Sequence, residues 1–139
     1  MESKRILVAD DDIFIRILLS RALEICGYEI DTVRNGLEAL RCLKNRDYDL
    51  LITDYMMPEM DGLKLLKIAK SLYPSIPAII ISGTIPFNGA SGFQANACIA
   101  KPVIISKLRC IVADILDTRD NCDRKNNSAC NGRCPDRKP

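Results

Sequence analysis

Short apolar runs alternate along the chain with segments whose apolar residues recur at helical spacing. The runs are rich in Ile, Val and Leu, which is typical of strands buried on both faces of a sheet. They predict five strands, over residues 6–9, 28–33, 50–53, 78–81 and 97–100. Because strands that alternate with helices form parallel sheets covered on both faces, the pattern predicts a doubly wound α/β fold.

Helical segments fill the intervals between these strands. The first is predicted over residues 13–26, with Asp12 as its N-cap and Gly27 as its end. Others are predicted over residues 37–44, along an apolar stripe that stops before Pro74, and in a final amphipathic helix around residues 108–116. Between the fourth and fifth strands several glycines interrupt the chain. Each interior Gly costs roughly 1 kcal/mol relative to Ala, so a short or irregular fourth helix is expected there.

Polar residues stand at the ends of four predicted strands. Asp10 and Asp11 follow the first strand, Asp54 the third, Ser82 the fourth and Lys101 the fifth. In open α/β sheets, ligands bind beyond the carboxyl ends of the strands. Any one of these residues alone is better explained as a cap, a turn residue or a surface residue. Their coincidence on one edge of one sheet predicts a site.

These residue types suit the transfer of a phosphoryl group to a carboxylate. Asp54 can act as the nucleophile and form an acyl phosphate. Gathered carboxylates repel one another, and Mg²⁺, which prefers oxygen ligands, relieves that repulsion. Lys101 can pair with a phosphoryl oxygen or with Asp54, and the hydroxyl of Ser82 can donate to another phosphoryl oxygen.

Composition excludes several classes of protein. The chain has 139 residues, 47% of them hydrophobic and 27% charged, with a net charge of +2. Residues 1–118 carry 14 Lys and Arg against 15 Asp and Glu, and residues 119–139 carry 6 against 3. No basic face indicates direct nucleic-acid binding, and no apolar stretch is long enough to span a membrane. We expect a cytoplasmic protein with one domain over 1–118 and a polar, disordered tail over 119–139.

The cysteines are not expected to form a disulfide framework, because the protein is expected in a reducing compartment. Those of the domain are predicted to be small core residues: Cys26, Cys42, Cys98 and Cys110. Those of the tail are Cys122, Cys130 and Cys134. With no His in the chain, a zinc site there would need a fourth ligand such as Asp123, Asp136 or a residue of another chain. Incidental cysteines are the favoured interpretation.

Four segments resemble the signatures of the response-regulator receiver domain, the CheY-like phosphoacceptor module of two-component signalling. They are Ile-Leu-Val-Ala-Asp-Asp at 6–11, Ile-Thr-Asp-Tyr-Met-Met-Pro-Glu-Met-Asp-Gly at 52–62, Ile-Ser-Gly at 81–83 and Ala-Lys-Pro at 100–102. The resemblance covers about residues 4–117. It implies a flavodoxin-like sheet in the strand order 2-1-3-4-5 with five helices.

The resemblance also implies a mechanism. A sensor histidine kinase or phosphotransfer protein would phosphorylate Asp54, with Mg²⁺ held by Asp11, Asp54 and the backbone carbonyl of Met56, and by Asp10 through a water. Ser82 would move toward the phosphoryl group and signal to a downstream target protein through the fourth helix, fifth strand and fifth helix. A stand-alone receiver would promote only its own phosphorylation and dephosphorylation, and so would not be an enzyme acting on another substrate. Because the apolar side chain of Met56 cannot orient a water, the phosphorylated form is not expected to be especially short-lived.

One departure concerns the output. Cys98 stands where the family usually has an aromatic residue, so the signal is expected to pass through a loose fourth helix or through a phosphorelay. Two other contexts are an N-terminal receiver of a longer regulator and a degenerate receiver, which would require the loss of an acid or of Lys101. A third alternative is an Asp-nucleophile phosphatase. It is disfavoured because Phe14 stands where that class has Thr or Val, and because the chain is too short for a cap domain.

Overall fold

The computed structural model describes residues 3–83 and 95–124, with residues 118–124 described by their backbone alone. The chain divides after Pro102 into two compact units, Met1–Pro102 and Val103–Pro139. Among the described helices, none combines the length and the apolar character that a membrane span requires.

The first unit is a parallel sheet with helices between its strands. Its strands are β1 (Arg5–Ala9), β2 (Glu29–Val33), β3 (Leu50–Asp54), β4 (Ala78–Ser82) and β5 (Ala97–Ala100). Its described helices are α1 (Ile13–Glu24), α2 (Gly36–Asn45) and α3 (Gly62–Leu72). The strand order is β2-β1-β3-β4-β5, and every neighbouring pair is parallel, which confirms the predicted topology.

The central strands β3 and β4 are buried along their whole length. All five residues of β3 and all five of β4 are buried, as their continuous apolar runs predict. The register then aligns the strand ends: Ala9 lies opposite Thr53, Asp54 opposite Ile81, and Ser82 opposite Ala100. The residues that end or follow these strands therefore meet at one edge of the sheet.

Polar caps set where the helices of this unit begin. The carboxylate of Asp12 accepts from the Phe14 N–H at 2.9 Å, as predicted for the start of α1. Asn35 and Asp61 accept in the same way from residues in the first turns of α2 and α3. The end of α1 differs from the expectation of residue 26. The N–H groups of Cys26 and Gly27 donate to carbonyls three residues back, as in a 3₁₀ turn, and Gly27 turns the chain with a φ of 98°.

The cysteines are less buried than predicted. Cys26, Cys42 and Cys98 are free thiols and only half-buried, although Cys42 and Cys98 pack against the main hydrophobic cluster. The prediction of a core thiol at Cys110 is wrong, because this residue is disulfide-bonded. Cys110 itself is half-buried.

The second unit contains α4 (Ile105–Arg124). Leu108, Val112 and Leu116 are buried at four-residue intervals, which confirms the predicted amphipathic stripe. The helix continues to Arg124, beyond residue 119, where the predicted tail begins. Adding residues to an existing helix costs far less free energy than starting one, and polar side chains permit it.

Two predictions concern residues outside the described ones. These are the short fourth helix within residues 84–94 and the rest of the tail over 125–139. The division into 1–118 and 119–139 stays a prediction.

Candidate functional site

Four strand ends assemble the site within the first unit. Asp10 directly follows β1, Asp54 ends β3, Ser82 ends β4 and Lys101 directly follows β5. Asp10, Asp54 and Ser82 are buried, whereas Asp11 is exposed at the rim. Burying polar side chains costs free energy unless they are hydrogen-bonded or paired, and buried titratable groups of this kind cluster at functional sites.

Three carboxylates converge at this edge. One carboxylate oxygen from each of Asp10, Asp11 and Asp54 lies within 4.8 Å of the others. Asp10 is 1% exposed; its Oδ1 accepts from the Asp12 N–H at 2.9 Å, while its Oδ2 has no hydrogen-bond partner among the described residues. Three acids with an unsatisfied buried oxygen fit the requirements of a hard divalent cation.

The protonation of Asp10 reflects this crowding. Burial raises the pKa of Asp10 to about 6, and the negative charges of Asp54 and Asp11 act in the same direction. The hydrogen bond from the Asp12 N–H and the charge of Lys101 oppose the rise. A bound cation would favour the ionised form of all three acids.

Lys101 is the cation nearest to the acids. Its Nζ lies 3.3 Å from Oδ1 of Asp54 and 3.7 Å from Oδ2 of Asp10. Burial raises the pKa of Asp54, and Lys101 is the strongest influence that opposes the rise. One ammonium group against three carboxylates leaves an excess of negative charge in the pocket. The pocket can therefore accept additional positive charge.

Met56 contributes its backbone near the acids. Its N–H donates to the carboxylate of Asp54, which lowers the pKa of Asp54. Its side chain is 63% exposed and points no polar group at the site. The predicted role of its carbonyl as a metal ligand stays a prediction, as does the role of the Ser82 hydroxyl toward a phosphoryl group.

A family model described as the response regulator receiver domain matches residues 6–113. The chain belongs to this receiver family. The resemblance seen in the sequence is thereby confirmed. Receivers are signalling domains that bind Mg²⁺ at an acidic pocket and interact with histidine kinases and downstream effectors.

The receiver is similar to proteins of diverse origin. It is 35% identical over 111 residues to the sensor protein EvgS of Escherichia coli, a match that covers 78% of this chain and 9% of EvgS. It is 41% identical over 80 residues to the response regulator receiver protein CpdR of Brucella abortus, covering 58% of this chain and 67% of CpdR. The chain therefore spans a small part of EvgS.

A solved structure extends the likeness to the fold. The response regulator protein TrrA of Thermotoga maritima, solved in complex with Mg²⁺ and BeF, superposes with a TM-score of 0.76. The two sequences are 34% identical, and the match covers 81% of this chain and 99% of that one. Fold and family thus agree.

Gly62 ends the 52–62 signature, but the sequence assigned it no role; it lies against the backbone of Asp54. The Gly62 N–H donates to the carbonyl of Tyr55 at 2.9 Å, and a Cβ on Gly62 would lie 2.3 Å from the carbonyl oxygen of Asp54. The same carbonyl accepts from the Thr53 hydroxyl at 3.0 Å. A Gly directly after the capping Asp61 was the available sequence signal, since Gly often marks a close backbone approach.

Gly62→Ala is expected to destabilise the receiver by about 1–3 kcal/mol, because the added methyl group forces the backbone near Asp54 to shift. Urea unfolding followed by circular dichroism measures the change. Gly83→Ala is the matched control, since a Cβ there meets nothing within 4 Å. Equal stability of the two variants would show that the contact at Gly62 does not constrain the loop.

Asp10→Asn is expected to stabilise the Mg²⁺-free receiver near neutral pH. The folded-state pKa of about 6 exceeds the ordinary 3.8, so ionised Asp10 opposes folding above pH 6. This cost disappears below about pH 4, where the carboxyl group is protonated in both states. The gain is at most about 3 kcal/mol, since one pKa unit corresponds to roughly 1.4 kcal/mol.

Urea unfolding in a chelator at neutral and acidic pH tests this expectation. The advantage of Asp10→Asn over the wild type should be largest at neutral pH and should shrink on acidification. Asp12→Asn is the control, because Asn also caps helices and Asp12 is exposed. A variant less stable than the wild type at every pH would contradict the expectation.

Proposed function

We propose that this receiver accepts a phosphoryl group on Asp54 from the phosphohistidine of a sensor histidine kinase or phosphotransfer protein, with Mg²⁺ in the acidic pocket. One observation carries the proposal. The acid cluster contains the unsatisfied, buried Oδ2 of Asp10, and Lys101 lies 3.3 Å from Oδ1 of Asp54. The pocket thus combines a nucleophile with places for a cation and for a phosphoryl group.

The metal site would use the acids and one backbone group. Asp11, Asp54 and the carbonyl of Met56 would hold Mg²⁺ directly, and Asp10 would do so through a water. When bound, Mg²⁺ neutralises charge on the phosphoryl oxygens. The similarity to TrrA, which was solved in complex with Mg²⁺ and BeF, supports a Mg²⁺ site in this receiver.

The chain's own residues perform the transfer. A carboxylate oxygen of Asp54 attacks phosphorus, and the P–N bond to the kinase histidine breaks with its electron pair remaining on the imidazole nitrogen. Lys101 then pairs with a phosphoryl oxygen instead of with Asp54 alone, and the hydroxyl of Ser82 donates to another. Hydrolysis of the acyl phosphate resets the receiver. The thioether of Met56 cannot orient the attacking water, so the phosphorylated form is not expected to be especially short-lived.

The output is a downstream target protein, reached by conformational change or by onward transfer of the phosphoryl group. Cys98 replaces the usual aromatic residue and packs half-buried against the core cluster, so a rotating aromatic side chain at this position cannot carry the signal. We propose that the receiver acts in the cytoplasm, either alone or as the N-terminal receiver of a longer regulator.

Phosphoryl labelling tests the proposal. The wild type is incubated with Mg²⁺ and a small-molecule acyl phosphate, and its intact mass is measured. We expect one labile phosphoryl adduct on the wild type and none on Asp54→Asn. Asp61→Asn, which changes another acid of the same loop but keeps a helix cap, should label normally. Labelling of Asp54→Asn, or no labelling of the wild type, would refute the proposal.

A further inference from the structure

Arg16 of α1 bonds to both ends of the acidic run. Its guanidinium Nη1 donates to the backbone carbonyl of Asp10 at 2.8 Å, and this contact is partly buried. Its own backbone N–H donates to the carbonyl of Asp12 at 3.1 Å. The first turn of α1 is therefore attached to the loop that precedes it through one residue.

The bond to the Asp10 carbonyl orients the peptide that leads into Asp11. Asp10 is held on its other side, because its N–H donates to the carbonyl of Val33 at 3.1 Å. Since a peptide unit is planar, fixing the direction of this carbonyl also fixes the N–H and Cα of Asp11. Asp11 is exposed, so packing against neighbouring side chains does not hold its carboxylate in place. Its position depends on the backbone.

We propose that Arg16 is a positioning residue for the cation: it holds the Asp10–Asp11 peptide so that the carboxylate of Asp11 faces the metal site. This inference rests on the proposed function of that site. A guanidinium group suits the task because it stays protonated and presents its donors in a rigid plane.

The contribution of Arg16 is geometric. The charges with the largest effect on the pKa of Asp10 are those of Asp54, Lys101 and Asp11. Arg16 instead donates to the neutral backbone carbonyl of Asp10. Groups that orient metal ligands in this way typically change metal affinity when removed, although they do not touch the metal.

Three variants of the full chain test the inference. Arg16→Met removes the donor but keeps an apolar stem, Arg16→Lys keeps a charged donor, and Arg21→Met removes an exposed cation from the same helix. The Mg²⁺ dissociation constant is measured by isothermal titration calorimetry, and the fold is checked by urea unfolding. Phosphoryl labelling is then followed as a function of Mg²⁺ concentration.

We expect Arg16→Met to raise the Mg²⁺ dissociation constant by about tenfold, Arg16→Lys by less, and Arg21→Met not at all. At saturating Mg²⁺ the labelling rate of Arg16→Met should approach that of the wild type. An unchanged constant in Arg16→Met would overturn the inference, and so would equal weakening in Arg16→Met and Arg21→Met, which indicates a general charge effect. If the wild type binds Mg²⁺ but is never labelled, the proposed function is refuted. The inference on Arg16 is then still tested by the Mg²⁺ dissociation constants from calorimetry.

Discussion

Asp11→Asn is expected to abolish Mg²⁺-dependent labelling of the receiver and to raise its Mg²⁺ dissociation constant by roughly a hundredfold or more. Asp11 is the exposed member of the acid cluster, with a carboxylate oxygen within 4.8 Å of those of Asp10 and Asp54. Its charge raises the pKa of both neighbours, so the acids repel one another when no cation is bound. Removing this charge should leave the fold intact or slightly more stable.

The neighbouring acid provides a matched control. Asp12 stands next in the chain and is also exposed, but its carboxylate caps α1 and lies outside the acid cluster. Asp12→Asn should bind Mg²⁺ and label like the wild type. Calorimetry and intact mass measure both variants, and normal Mg²⁺ binding by Asp11→Asn would remove Asp11 from the metal site.

Lys101→Met is expected to lower the stability of the Mg²⁺-free receiver by about 2–4 kcal/mol at neutral pH. The ammonium group lies within 4.0 Å of Asp54 and of Asp10, whose carboxylates are buried, and the variant leaves both without this cation. Because Lys101 is itself 27% exposed, the effect falls below that of a fully buried pair. The same variant should label poorly, since the phosphoryl group loses its cationic partner.

The pH dependence of the free energy of unfolding shows whether Lys101 stabilises the receiver through its charge. Without Lys101 the pKa values of Asp10 and Asp54 rise further. The loss of stability should therefore be largest at pH values above these pKa values, and it should diminish as the pH falls and both groups become protonated. Added Mg²⁺ should also restore stability. Lys67→Met is the control, since Lys67 is an exposed lysine of α3. Equal loss of stability at acidic and neutral pH would show that Lys101 acts through packing of its stem.

Much of the fold followed from local patterns. The predicted fifth strand coincides with β5 over Ala97–Ala100, and the predicted cap Asp12 starts α1. These features depend on apolar periodicity and on hydrogen bonds between near neighbours in the chain, which a sequence displays directly. The prediction of a core thiol at Cys110 was wrong, because a disulfide depends on which cysteines the fold brings together and not on local pattern.

The site, like the fold, has features that the sequence displays and features that depend on the tertiary structure. By itself, the sequence determined which acids, hydroxyl and ammonium group stand at strand ends, because strand ends are visible where apolar runs stop. The tertiary structure decided how near they come: the 3.3 Å between Lys101 and Asp54, the burial that raises the pKa of Asp10 to about 6, and the approach of Gly62 to the Asp54 carbonyl. Those quantities depend on the register of parallel strands that are distant in the chain. Distance and burial between such residues exist only once the sheet has formed.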